Sequence, residues 1–347
     1  MQSTVRIQNK ILSDFLEALF RKAGVNKCFY SPVVVELIKS SLRGVDSHGI
    51  RLAPHYIKAL LIGRINKEPK FKFKKKSLSV GVLDADHGFG IAAGLEAVHF
   101  AVKMAKKTGV GVVAVKNSTH FGAAEIFSLA AADKNMVGIS LSNTDALVIP
   151  FGGRVPFLGT NPIAIAFPCL GGPISLDMAT SSVAWNKIMV YRAQNKKLEP
   201  GWAVDEKANP VVDSKLAKWL VAFGGYKGYG LGLTVGIFSA LFTGMPFDNN
   251  IVPMSPLNNK RRKLGHFFIV IDISKFLKIG TFKKRVYQVT KELRLQKAAD
   301  GFKQVIVAGD DRKNECKLRL KNGIPMSEQL IQEFNELAIR FKIKKLY

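Results

Sequence analysis

Two of the chain's six histidines sit beside glycine and small or hydroxyl residues, His48 in GVDSHGI and His120 in NSTHFGAAE. Imidazole titrates near neutrality, so a histidine presented on a loop can give and take a proton in catalysis. A histidine taken singly is more often structural. Here two share the same setting, and His120 follows an apolar run at 111–115, which puts it at the carboxyl end of a predicted strand, where α/β sheets bind ligands. A phosphate cradle is suggested by Gly88, Gly90 and Ala93 in HGFGIAA, a GxGxxA arrangement between a predicted strand and a predicted helix. The acidic residue that a dinucleotide fingerprint carries about twenty positions later is missing. That region reads TGVGVVAVK, so these glycines are expected to serve a tight turn. No GxxxxGKS/T, HExxH or GxSxG occurs, which argues against a P-loop enzyme, a zincin and a serine hydrolase of the usual kind.

The elements that must hold these residues follow from hydrophobic spacing. Ile11, Leu12, Phe15, Leu16, Leu19 and Phe20 recur at helical spacing up to Gly24. A second helix is expected with Ser31 as its cap, Pro32 in its first turn, and Val34, Val35, Ile38 and Leu42 carrying it to Gly44. A third begins near Pro54. Together they form a helical module over residues 1–68, joined by a C-terminal helix over 327–342 whose Leu330, Ile331, Phe334 and Leu337 need a surface to cover them. Apolar runs at 80–83, 110–115, 137–141, 163–167 and 267–273, with a helical stretch at 95–107, make residues 78–310 a mixed α/β domain.

Composition narrows the class. The 347 residues are 47% hydrophobic and 22% charged, which excludes a disordered chain. Cys28, Cys169 and Cys316 are odd in number and far apart, so no disulfide framework or paired-cysteine metal site is available, and no metal is expected. A reducing, cytoplasmic location fits, because the first twenty residues also lack a signal peptide's apolar core. Residues 228–247 carry no charge and a GxxxG at Gly232 and Gly236, yet their glycines and hydroxyls point to a buried core helix rather than a membrane span. With 52 Lys plus Arg against 26 Asp plus Glu the formal charge is +26. KFKFKKK at 70–76 and the cluster at 260–263 make a nucleic-acid surface conceivable. Alternating Phe and Lys is equally the pattern of a half-buried strand, and that reading is preferred, with no nucleic-acid partner expected. The lysines at 342, 344 and 345 read as a solvated, frayed end.

In chain order, GVDSHGI, STHFGAA, NTDALVIPFGGRVPFLGTNPIAIAFP, LDMATSS, PGWAVD, KGYGL and LGHFFIVID resemble, at matching spacings, the malate/L-lactate dehydrogenase family of the second kind over about residues 11–337. That family includes ureidoglycolate and L-sulfolactate dehydrogenases, diketogulonate reductase and cyclic imine 2-carboxylate reductases. The resemblance implies an oxidoreductase using NAD or NADP, with a non-Rossmann mixed-sheet fold, built as a homodimer or larger assembly. It maps the active-site histidine onto His120 and a second acid/base onto His48. Tyr56 and Arg262 match substrate contacts. Thr144, Asp145, Asp177, Met178, Ala179, Lys227 and, more weakly, Gly309 and Asp310 match cofactor contacts.

The chemistry suits those residue types. Reducing a 2-oxo acid takes a hydride to the carbonyl carbon and a proton to its oxygen, while a guanidinium from Arg51 or Arg262 can fork the substrate carboxylate. The chain departs from the family pattern at Leu52, where many members carry an arginine, and at Gly236, usually acidic; Asn186 and Tyr226 also differ. The expected function is interconversion of a small 2-hydroxy acid and its 2-oxo acid. The alternatives are a cyclic imine 2-carboxylate reductase, a ureidoglycolate dehydrogenase, a basic nucleic-acid binder, or a folded enzyme of eroded activity.

Overall fold

Residues 4–346 are described by a computed structural model. Strand β1 (Thr4–Ile7) leads into α1 (Asn9–Lys22), α2 (Lys27–Leu42) and α3 (Ala53–Leu61). The helical spacing of α1 buries Leu12, Phe15, Leu16, Leu19 and Phe20 along one stripe. Helix α2 starts a turn before the expected Ser31 cap. Asn26 caps it instead, its side chain accepting the Cys28 N–H at 3.1 Å, and Pro32 lies inside the helix. The proline costs α2 the bond its N–H would have made to the Cys28 carbonyl.

The chain continues through β2 (Lys72–Lys75), β3 (Val80–Asp84), α4 (Gly90–Thr108), β4 (Val110–Ser118), α5 (Glu125–Ala132), β5 (Met136–Ser142), β6 (Ile163–Phe167) and β7 (Ile174–Met178). After α6 (Trp185–Ala193) come the short strands β8 (Ala203–Val204), β9 (Pro210–Val211) and β10 (Trp219–Leu220), then α7 (Tyr226–Gly236) and β11 (Leu264–Asp272). The last elements are α8 (Ile279–Leu295), α9 (Asp310–Asn322), β12 (Ile324–Ser327) and α10 (Glu328–Phe341). The main sheet has the order β2-β3-β4-β11-β5-β6-β7, with β3 and β4 parallel and the other neighbours antiparallel. This is the expected mixed α/β class, and it is no doubly wound dinucleotide fold.

Side chains of α4 and α5 fill one face of that sheet, with Val98, Met104 and Phe127 against Leu83, Val113, Val115 and Phe268. Each such side chain contributes roughly 1.5–3 kcal/mol by leaving water. The basic segment forms β2 as its alternation predicts. Phe73 stacks on Phe100 with centroids 3.8 Å apart, while Lys72, Lys74 and Lys75 face solvent. A second core unites the N-terminal helices with Ile324, Met326, Phe334 and Leu337, and β1 pairs antiparallel with β12.

Two expectations need correction. The segment 228–247 is helical through α7 and a π turn (Ile237–Leu241), but only its small-residue side is buried; Leu241 and Phe242 are 58% and 63% exposed. The glycines let α7 approach its neighbours closely, and the larger side chains are pushed outward. No helix among the described residues is long and apolar enough to cross a membrane. The end beyond α10 is also not frayed, because Leu346 is buried and its N–H donates to Asn335 Oδ1 at 3.0 Å.

Candidate active site

Two residues past β4, the loop bearing His120 is fastened to the start of α4. Thr119 Oγ1 accepts the Gly90 N–H at 3.1 Å and donates to the Gly88 carbonyl at 2.9 Å. A Cβ on Gly90 would lie 2.3 Å from the Thr119 carbonyl oxygen and 2.8 Å from that of His120. The GxGxxA glycine therefore exists to let the histidine loop cross the helix end. His48 closes a 3-10 turn (Asp46–His48) that α9 holds from behind, where Arg319 donates to Asp46 Oδ2 at 3.0 Å and to the Ser41 carbonyl at 2.7 Å. Gly49 leaves room for Ser41 Oγ, which would stand 2.1 Å from a Cβ there and which accepts the Ile50 N–H at 2.9 Å.

These two anchored loops bring the imidazoles together. The rings of His48 and His120 stack with centroids 5.6 Å apart and planes 21° from parallel. His120 Nδ1 lies 2.8 Å from the Tyr56 hydroxyl and accepts the Gly122 N–H at 3.3 Å. An amide N–H can only donate, so this contact favours the neutral ring with its proton on Nε2. Burial lowers the pKa of His120 well below the usual value, and His48 and Arg262 lower it further. Burial, aided by Arg312, brings His48 to about 4. An anion bound beside the rings would reverse the trend, because opposite charge favours the protonated form.

The cation whose charge reaches His120 is Arg262, on the segment before β11 and only 4% exposed. It is ion-paired with Asp145, and its Nε donates to the Val252 carbonyl at 3.0 Å. Its Nη1 has no hydrogen-bond partner among the described residues. Arg64 braces the same segment from the end of α3, donating to the carbonyls of Lys260 (3.1 Å), Met254 (3.2 Å) and Pro253 (3.2 Å) and to Asn258 Oδ1 (2.9 Å). Arg51 is exposed in the turn Ile50–Leu52, without an ion pair or hydrogen bond among the described residues, and Leu52 packs in the helical core. At Gly236, a Cβ would meet the Phe247 ring at 3.0 Å and Asn161 Nδ2 at 3.2 Å, so any side chain there would press on both neighbours.

The residues matched to cofactor contacts separate into groups. Leu141 and Met178 both register with Ile163, so the ends of β5 and β7 share one end of the sheet. There Thr144 Oγ1 accepts the Thr160 N–H at 2.9 Å, and the Thr160 carbonyl accepts the Thr180 N–H at 2.9 Å. The Thr180 carbonyl accepts the Phe223 N–H at 3.1 Å, drawing the start of α7, with exposed Lys227, to the same end. Thr144, Met178, Ala179 and Lys227 are thus brought together. Asp145 faces Arg262. The Asp177 carboxyl, whose pKa burial raises, accepts from Arg312 at 3.1 Å. Gly309 packs on the Ser175 backbone, and Asp310 is occupied by Arg294 at 2.7 and 2.8 Å.

Sequence reasoning missed the buried network in which Glu125 joins Arg43 (2.9 and 2.8 Å) to Arg312 (3.0 Å), and so the His120 helix to Asp177. Glu125 stands at the end of NSTHFGAAE, a signal within the motif, whereas Arg312 lies in an ordinary polar stretch and Arg64 is a single charge after the apolar run of Leu60, Leu61 and Ile62. His266 shows the contrasting fate of a histidine. Its nitrogens are held by Ser142 Oγ and Ser118 Oγ, each at 2.8 Å, and burial drives its pKa to about 3. It is a structural, neutral ring.

Residues 7–335 match the family described as malate/L-lactate dehydrogenase. Malate dehydrogenase of Pyrococcus abyssi is 35% identical, covering 99% of this chain and 97% of its own length. L-sulfolactate dehydrogenase of Methanocaldococcus jannaschii is 37% identical, covering 87% of each. Among solved structures, malate dehydrogenase from Entamoeba histolytica superposes with a TM-score of 0.94 at 30% identity, covering 99% of both chains. The chain belongs to the malate/L-lactate dehydrogenase family.

Proposed function

We propose that this protein is a nicotinamide-dependent dehydrogenase interconverting a small 2-hydroxy acid and its 2-oxo acid, with His120 as the proton donor and acceptor. The observation that carries this reading is the juxtaposition of an uncharged, half-buried His120, its Nδ1 held by Tyr56, with a buried Arg262 whose Nη1 has no partner among the described residues. The arginine supports binding of the substrate carboxylate. That bound negative charge raises the proton affinity of the imidazole where the carbonyl oxygen needs its proton. Arg64 and Arg262 face one carboxylate, Asp145, so the site has a surplus positive charge suited to an anion. Malate and sulfolactate, named for the relatives, share a 2-hydroxy carboxylate.

A dinucleotide fits the donor set at the ends of β5 and β7, where the Thr144 and Thr160 hydroxyls and the free ammonium of Lys227 suit ribose and pyrophosphate oxygens. When bound, the nicotinamide supplies or takes up the hydride. His48, stacked on His120, screens that ring from water and offers a second proton carrier. We also infer self-association, since Phe151, Tyr226 and Phe242 leave large apolar areas exposed; sedimentation at equilibrium tests it. Three free cysteines suit the cytoplasm.

The test is a panel of pyruvate, oxaloacetate and pyrroline-2-carboxylate with NADH and NADPH, followed by the absorbance of the reduced coenzyme. Turnover of a 2-oxo acid is expected. Turnover of the imine alone would make the protein a cyclic imine reductase, and saturable binding of neither coenzyme would overturn the reading.

A further inference from the structure

Asp248 opens the helical turn Asp248–Asn250 that follows α7 and its π turn, and it is completely buried. Its Oδ2 accepts the Gly159 N–H at 2.9 Å and an Asn161 Nδ2 hydrogen at 2.6 Å, while Oδ1 has no partner among the described residues. Asn161, equally buried, holds a left-handed backbone with φ +31°. A residue with a side chain stays there only when its surroundings over-determine it. Here they do. The second Asn161 amide hydrogen goes to the Gly232 carbonyl at 2.9 Å, and Oδ1 accepts the Thr144 N–H at 3.3 Å.

From Thr144 the chain passes directly to Asp145, whose carboxylate pairs with Arg262 and accepts the Met254 N–H at 3.2 Å. A continuous series of bonds therefore joins a buried carboxyl to the Arg262 guanidinium, whose Nη1 has no hydrogen-bond partner among the described residues. There is no slack along it. A Cβ on Gly159 would meet Thr144 Oγ1 at 2.3 Å and Asn161 Oδ1 at 2.6 Å, so segments 144–145 and 159–161 cannot move independently.

We propose that Asp248 is a positioning residue for the substrate arginine: by locking Asn161 it fixes the Thr144–Asp145 backbone and so sets the reach of Arg262 toward the substrate carboxylate. This rests on the dehydrogenase reading above. Burial, with a smaller push from the nearby charge of Asp145, raises the Asp248 pKa to about 6 against the Gly159 and Asn161 bonds. The grip on Asn161 is tightest when Asp248 is ionised, because a charged acceptor holds an N–H about twice as strongly.

The experiment measures Asp248→Asn, Asp145→Asn and the double variant at pH 7.5. Asp248→Asn is expected to raise the KM for the 2-oxo acid about tenfold, with kcat changed less than about threefold and dinucleotide Kd less than about twofold. In the Asp145→Asn background the same change is expected to shift KM by less than about twofold, since the two lie on one path. An unchanged KM in the single variant, or effects that multiply in the double one, would overturn the proposal. Should Asp248→Asn fail to fold, the wild-type profile decides: KM is expected to rise as pH falls through about 6, and a flat profile refutes it. Wild-type turnover of a 2-oxo acid reports separately on the dehydrogenase reading.

Discussion

The contact between Tyr56 and His120 gives a sharp test of the acid/base assignment. The hydroxyl is fully buried, 2.8 Å from Nδ1, and its O–H can rotate to donate to the neutral ring or accept from the imidazolium. Gly122 N–H can only donate, at the longer distance of 3.3 Å, so after Tyr56→Phe nothing would accept an Nδ1 proton. A bond to a charged group is worth about 1.5–3 kcal/mol and a neutral one about 0.5–1.5, so the imidazolium loses about 1–1.5 kcal/mol more than the neutral ring. That lowers the histidine pKa by about one unit and kcat/KM for 2-oxo acid reduction by about tenfold at pH 7.5. The assay is the pH dependence of kcat/KM, followed by coenzyme absorbance, with dinucleotide Kd as the control. A rate within twofold of wild type and an unmoved pH profile would refute the reasoning.

Further outcomes follow from the same geometry. His120→Asn is expected to lower turnover by a factor on the order of 10² or more while sparing dinucleotide affinity; turnover at the wild-type rate would remove the residue from its role. Arg262→Lys, which cannot reproduce the planar fork, should raise the 2-oxo acid KM by about tenfold or more, and an unchanged KM would assign the carboxylate elsewhere. Lys227→Ala is expected to weaken dinucleotide binding without altering the melting temperature, and equal affinity by titration contradicts it. Burial lowers His48 and His55 to about 4 and His266 to about 3, from 6.5. The unfolded chain therefore binds more protons over that window, so the stability these neutral rings confer is complete above pH 6.5 and falls as pH drops toward 4. Asp248, raised to about 6, and Asp177 and Glu36, also raised by burial, act in the opposite sense, but they are three groups against five, since burial lowers His87 and His120 as well. A urea midpoint at pH 4.5 equal to that at pH 7.5 would contradict this account.

The features legible in the sequence were those with a period or a local cause. Strand β6 matches its apolar run residue for residue, and the stripe of α1 is read directly from its spacing, because one buried face imposes its repeat on the chain. His48 and His120 were visible because tight loops demand glycine and small residues beside them. The rest depended on distant partners. Nothing local tells that Arg64, a charge at the end of a helix, is buried, or that Asp177 and Asp310 are each engaged by an arginine, Arg312 and Arg294. Arg51 and Arg262 were indistinguishable as carboxylate forks until tertiary packing buried the second beside Asp145 and left the first in water. The α2 start was misplaced because a Ser-Pro pair outweighed Asn26, which the fold uses as the cap.

The antiparallel pairing of β1 with β12 carries a kinetic corollary. During synthesis the N-terminal helices leave the ribosome early, yet their apolar surface is completed only by residues made more than three hundred positions later. That contact joins residues more than three hundred positions apart, and closing so long a loop is slow. A nascent chain would thus spend most of its translation with Phe15, Leu19 and Phe20 awaiting Phe334 and Leu337. Chaperone dependence should concentrate on that unfinished end rather than on the sheet.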